Sequence, residues 1–248
     1  MLGEITKNIK SLFQWFSNLS VTAKYLFLLI SLETLTWTPA FYTDYYEQHH
    51  GQISWDDLIV IVTLFSAILA VSRRRSVTVS GAILAVLALG ITWGAELYDI
   101  KALSVASDSF MAIFFGFVAC MILYDLLTTK GVTSDTIIGS ICAYMLIGAT
   151  WTFFYSLTEL LVPDSFTLAV SGQEISSEAL IHSRNYPLFM YYSFVTLCSL
   201  GYGEMIPIKP AARMLATGES IIGQFYMAVF VARLISMYIT AASEKIKK

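Results

Sequence analysis

Long apolar stretches separated by short polar ones run through almost the whole chain. Apolar runs of bilayer or near-bilayer length cover about Ala23 to Tyr42, Asp57 to Val71, Val77 to Leu97, Ser104 to Leu127, Ser134 to Val162 and Ala211 to Lys245. A helix needs roughly 20 such residues to cross the hydrocarbon. The pattern therefore predicts an all-α membrane protein with six transmembrane helices. A seventh apolar stretch, Pro187 to Cys198, is too short to cross. Polar segments divide these runs: Thr43 to Asp57 with His49, His50 and Gly51; Arg73 to Arg75; Glu96, Asp99 and Lys101; Lys130 and Gly131; and Pro163 to Tyr186 with Asp164, Glu174 and Glu178. Residues 1–22 read as an amphipathic, moderately basic N-terminal helix at the membrane interface, with Trp15 and Phe16 on its apolar stripe. Nothing there has the form of a cleavable signal.

Composition sharpens the class. The 248 residues are 56% hydrophobic and 13% charged, and the mean hydropathy is +0.67. A soluble domain is excluded. The net charge of −3 gives no footprint for nucleic acid, and Cys120, Cys142 and Cys198 lie in apolar segments, which argues against a disulfide framework. Lys7, Lys10, Lys24, Arg73 to Arg75, Lys130 and the terminal Lys245, Lys247 and Lys248 all fall on one side of six crossings. The positive-inside rule then places both termini in the cytoplasm and the loop from Pro163 to Tyr186 outside. The short apolar stretch after that loop must dip in and return on the outer side.

That stretch leads into Thr196-Leu197-Cys198-Ser199-Leu200-Gly201-Tyr202-Gly203-Glu204. A bare cation gives up its water only where oxygens replace it, and a narrow stretch of backbone can supply them from its carbonyls. Alternate residues must then aim their carbonyls the same way. Gly201 and Gly203 enter left-handed backbone regions at little steric cost.

The segment resembles the pore helix and selectivity filter of the tetrameric potassium-channel superfamily, whose motif reads Thr-Val-Gly-Tyr-Gly-Asp. The resemblance implies a pore helix over 187–198 and a filter over 199–204. It implies potassium held by Ser199, Leu200, Gly201 and Tyr202, with Gly203 closing the filter and Thr196 and Glu204 supporting it. Tyr191 and Tyr192 occupy the place of the family's paired aromatics, a cuff around the filter. Ser199 for threonine, Leu200 for valine and Glu204 for aspartate are the departures, each chemically conservative. One filter cannot encircle an ion, so four chains are required and a homotetramer is expected. Re-entrant backbone at this depth survives only inside protein or against water.

The last helix carries the remaining pore expectations. Arg213 stands where the family often has a basic residue, and Gly223 matches the family's hinge glycine; hinge and close packing both remain open. Gln224, Met227, Val231, Ile235 and Ile239 recur at helical spacing and form an expected lumen face, with Ile235 or Ile239 as a gate. Glu219, one turn before Gly223, lies at membrane depth, where an acid usually has a partner or a task. Arg233 is expected to snorkel to the headgroups.

Residues 23–130 form the expected four-helix domain, and residues 131–248 the pore domain. A voltage sensor needs several arginines in its fourth helix, and Ser104 to Leu127 has no lysine or arginine, only Asp108 and Asp125. Glu33 is a candidate modulatory acid in the first span. His49, His50 and His182 lie in outer loops. The expected function is a passive potassium-selective channel in the plasma or inner membrane, of prokaryote-like plan. It is expected not to be conventionally voltage-gated, and to have no cofactor, no regulatory domain after the last helix and no enzymatic site. The alternatives are a weakly selective cation channel or a potassium transporter subunit.

Overall fold

The computed structural model describes residues 20–42, 55–71, 75–98, 100–129, 131, 133–170, 173–175 and 186–246. The expected interfacial helix up to Leu19, the His49–His50 loop, Arg73, Arg74, Lys130 and His182 lie outside the described residues. Seven helices and one small sheet are described: α1 Val21–Tyr42, α2 Trp55–Ala70, α3 Arg75–Tyr98, α4 Lys101–Thr128, α5 Ser134–Leu161, α6 Tyr186–Leu197 and α7 Pro210–Ile246, with strands β1 Phe166–Val170, β2 Gln173–Ile175 and β3 Met205–Pro207.

Among the described residues, four helical segments are long and apolar enough to cross a membrane: Val77–Ala95, Lys101–Thr128, Ser134–Leu161 and Pro210–Arg233. The apolar part of α2, Leu58–Ala70, is shorter. These helices are apolar nearly all round, as lipid-facing or fully buried helices are. Helix α1 packs on α2 and on α5, α3 on α4, and α4 along α5; α5 then carries both α6 and α7. The core at this crossing holds Leu28, Phe114, Phe115, Ile122, Cys142 and Leu146, with the ring of Phe115 stacked 5.7 Å from that of Phe153. Small polar pairs tie neighbouring helices within the apolar layer. Ser31 Oγ meets Ser66 Oγ at 2.7 Å, and Thr92 Oγ1 meets Ser107 Oγ at 2.7 Å. Such interhelical bonds contribute about 0.6 kcal/mol each in a bilayer.

The start of α5 is written locally. Thr133 Oγ1 accepts from the Thr136 amide at 3.3 Å, and Thr136 Oγ1 accepts in return from the Thr133 amide at 3.4 Å. This closes a capping box on two otherwise orphaned donors. Asp135 in the same first turn accepts from Thr22 Oγ1 of α1.

The fold is helical as expected, apart from a three-stranded antiparallel sheet in the order β2, β1, β3. Leu168 pairs with Ile175 on one side and Met205 on the other, and Phe166 pairs with Pro207. The sheet joins the loop after α5 to the residues that follow the glycine-rich segment. Beneath it lies a second core of Tyr155, Phe166, Leu168, Phe189, Tyr192, Met205 and Ala212.

Candidate functional site: a glycine-rich segment at the end of a short helix

Helix α6 starts at Tyr186, with Pro187 in its first turn, where its missing donor costs nothing. Its far end closes in a Schellman motif. The Leu200 amide donates to the Val195 carbonyl at 2.8 Å, and the Ser199 amide donates to the Thr196 carbonyl at 3.0 Å. The motif requires a left-handed residue at Ser199, whose φ is 56°. Glycine or asparagine is the usual choice there. Gly201 follows at φ 61° and Gly203 at φ 90°. Three left-handed residues at alternate positions, 199, 201 and 203, therefore follow one another directly out of the helix. The sequence indicated two of them; the serine was hidden because its side chain gives no sign of a left-handed backbone.

The segment is held at both ends. Tyr191 Oη donates to Glu204 Oε2 at 3.1 Å, so one of the two aromatics grips the acid that ends the motif. Tyr192 turns the other way and is buried, its ring 4.8 Å from Tyr155 and 5.4 Å from Phe166. The expected cuff is thus divided between an exposed clasp and a buried wedge. Beyond Glu204, β3 enters the sheet, and Arg213 Nε donates to the Pro207 carbonyl at 3.1 Å.

Helix α7 packs against the base of the segment. The Thr196 carbonyl accepts from Ser220 Oγ at 3.3 Å, and the Leu197 carbonyl accepts from Tyr144 Oη of α5 at 3.2 Å. A β-carbon built at Gly223 would fall 2.1 Å from the Leu197 carbonyl oxygen. One residue later, Gln224 Nε2 donates to Ser199 Oγ at 2.9 Å. Gln224, Met227, Val231, Ile235 and Ile239 are all exposed in the single chain, as are Ser199, Leu200, Gly201, Tyr202 and Gly203.

The other acids fall into place individually. Glu219 is fully buried and accepts from Tyr155 Oη, with Ser193 Oγ 2.5 Å away. Glu33 is exposed on α1 and accepts from Trp37 Nε1 at 2.9 Å. Two buried carboxylates were not singled out as sites from the sequence. Glu159 accepts from the amides of Asp164, Ser165 and Phe166 at 2.9, 2.9 and 3.1 Å. Asp108 of α4 accepts from Ser156 Oγ at 2.6 Å and from Tyr186 Oη at 2.8 Å, joining α4 to α5 and to the start of α6.

Arg233 has protein partners as well: its guanidinium donates to the carbonyls of Leu126 at 3.1 Å, Leu127 at 2.6 Å and Thr129 at 3.4 Å. These are orphan acceptors at the C-terminus of α4, where a cation also meets the negative end of the helix dipole. Among the described residues, no cluster of histidine, cysteine and acidic groups has the makings of a metal-ion site.

Residues 141–240 match the family model described as "Ion channel". The matched stretch takes in most of α5, all of α6, the glycine-rich segment and most of α7. Two pore potassium channel c of Oryza sativa subsp. japonica is 30% identical to the chain over 84 residues, which is 34% of this chain and 18% of that relative. The chain thus spans less than a fifth of the length of the relative that it matches. No solved structure matches it.

Proposed function

We propose that this protein is a potassium-selective channel that conducts passively through a homotetrameric pore. The left-handed backbone at Ser199, Gly201 and Gly203 is the observation that carries the reading. Left-handed residues at every second position, separated by ordinary ones, turn successive carbonyls to one side. Four such chains about an axis would offer stacked rings of oxygens with the Ser199 hydroxyls beneath them. Leu200 and Tyr202, 55% and 63% exposed in one chain, would be covered by neighbouring subunits. The exposed stripe from Gln224 to Ile239 would line the inner vestibule, with Ile235 or Ile239 as the constriction.

In this reading α1 and α2 complete six crossings, α6 is re-entrant from the outside, and both termini face the cytoplasm. The absence of lysine and arginine from Ser104 to Leu127 leaves α4 without the charges of a conventional voltage sensor. Gating then rests on another stimulus.

The test is potassium flux into liposomes containing the purified full chain, with sodium as competitor. Selective potassium flux that is abolished by Gly201→Ser or Tyr202→Ala is expected. Equal sodium flux would overturn potassium selectivity in favour of a weakly selective cation channel. Saturating flux without single-channel steps would overturn the channel reading in favour of a transporter subunit.

A further inference from the structure

Besides the Ser220–Thr196 hydrogen bond, helix α7 meets α6 at two points one turn apart on each helix. Glu219 meets Ser193, and four residues later on both helices Gly223 meets the Leu197 carbonyl. Two contacts about 6 Å apart along parallel runs prevent one helix from sliding or rolling on the other. The lower contact is backbone against backbone. The upper one rests wholly on the buried carboxyl group.

The hydrogen count at that carboxyl restricts its chemistry. Ser193 Oγ lies 2.5 Å from Glu219 Oε1 and 2.8 Å from the Gly148 carbonyl oxygen of α5. A serine hydroxyl carries one proton, and a carbonyl can only accept. Both short contacts are full two-centre hydrogen bonds at once, rather than one proton shared between two acceptors, only when Oε1 itself bears a proton, so that the acid donates to serine and serine donates to Gly148. Tyr155 Oη supplies the bond to Oε2. A neutral acid satisfied by hydroxyls is also what membrane depth favours, because an ionised one would need a counter-charge.

Building on the channel reading above, we propose that Glu219 is a positioning residue for the filter. It acts as an uncharged acid that links α7 through Ser193 to the Gly148 carbonyl of α5 and so fixes the height and rotation of α6. Ser199 leaves α6 through the Schellman turn six residues after Ser193, so any roll of α6 is delivered directly to the hydroxyl ring. Glu219 touches no ion; it acts through Ser193.

The experiment measures the potassium-to-sodium permeability ratio of the full-length protein in liposomes for the wild type, Glu219→Gln, Glu219→Leu and Ser193→Ala. Glutamine is neutral and retains a donor and an acceptor, so Glu219→Gln is expected to keep the wild-type ratio. Glu219→Leu fills the space without a hydrogen bond and is expected to lower the ratio about tenfold, the equivalent of one bond of about 1.4 kcal/mol. Ser193→Ala is expected to give a smaller loss in the same direction, which keeps the test open if the leucine variant fails to assemble. A normal ratio in Glu219→Leu or in Ser193→Ala overturns the proposal. So does loss of selectivity in Glu219→Gln, which would mean that an ionised carboxylate is needed. Absence of selective flux in the wild type would instead overturn the channel reading itself.

Discussion

The backbone of α7 at Gly223 lies against the Leu197 carbonyl oxygen at a distance that excludes a β-carbon, which would sit at 2.1 Å. Close packing thus accounts for glycine at this position. Gly223→Ala is expected to push α7 away from the end of α6, with loss of assembled protein and of flux, even though alanine is the better helix former by about 1 kcal/mol. Gly218→Ala is the control, because nothing lies within 4 Å of its added carbon. Size-exclusion profiles and flux of the two variants decide the matter; similar behaviour would mean that α7 simply bends around the extra methyl group.

Arg233 caps α4, so its removal exposes three carbonyls at once. Arg233→Ala is expected to lower stability by about 2 kcal/mol, the scale of a hydrogen-bonded charged group that loses its partners. Arg233→Lys should restore only part, since the ammonium is more strongly hydrated than the guanidinium and gives up its water less readily to reach the carbonyls. Thermal unfolding in detergent reads both.

Ser199 lacks the methyl group that would restrict a threonine side chain, and the Gln224 amide supplies a restraint in its place. Gln224→Leu is expected to reduce potassium over sodium permeability severalfold, by roughly the worth of one hydrogen bond. In a Ser199→Thr background the same change should have little effect. A double-mutant cycle on the permeability ratio tests this coupling; simple additivity would sink it.

Glu159 satisfies three consecutive amides at the end of α5. In Glu159→Gln one of the two acceptor oxygens becomes a donor that faces another donor. A loss of about 2 kcal/mol is expected, with faster proteolysis just after α5 as the local readout. Unchanged protection would show that the turn is held by the sheet alone.

How much of this could be read beforehand depends on what each feature leaves in the residues. Glycines at 201 and 203 have few physical reasons to alternate with large side chains in an apolar setting, so the filter-like segment was plain. The helices followed from apolar length. The left-handed Ser199 was not readable, because a Schellman turn usually announces itself with glycine. Strand β1, Phe-Thr-Leu-Ala-Val, carries a strand-like composition, but its partner β3 ends in proline and lies more than thirty residues away. Pairing across that distance leaves no local trace. The partners of Arg233 were hidden for a related reason: a long basic side chain near a helix end gives no sign of which other helix ends beside it.

Strand β3 is hydrogen-bonded into the sheet from Met205, and α6 ends at Leu197, so the stretch between them is a short cord tied at both ends. It cannot lengthen, retract or swing aside as a flap would. Any rearrangement within it has to be a rotation of peptide planes in place. A switch between open and shut at this level would therefore leave the outline of the molecule unchanged while reversing the direction in which individual oxygens look.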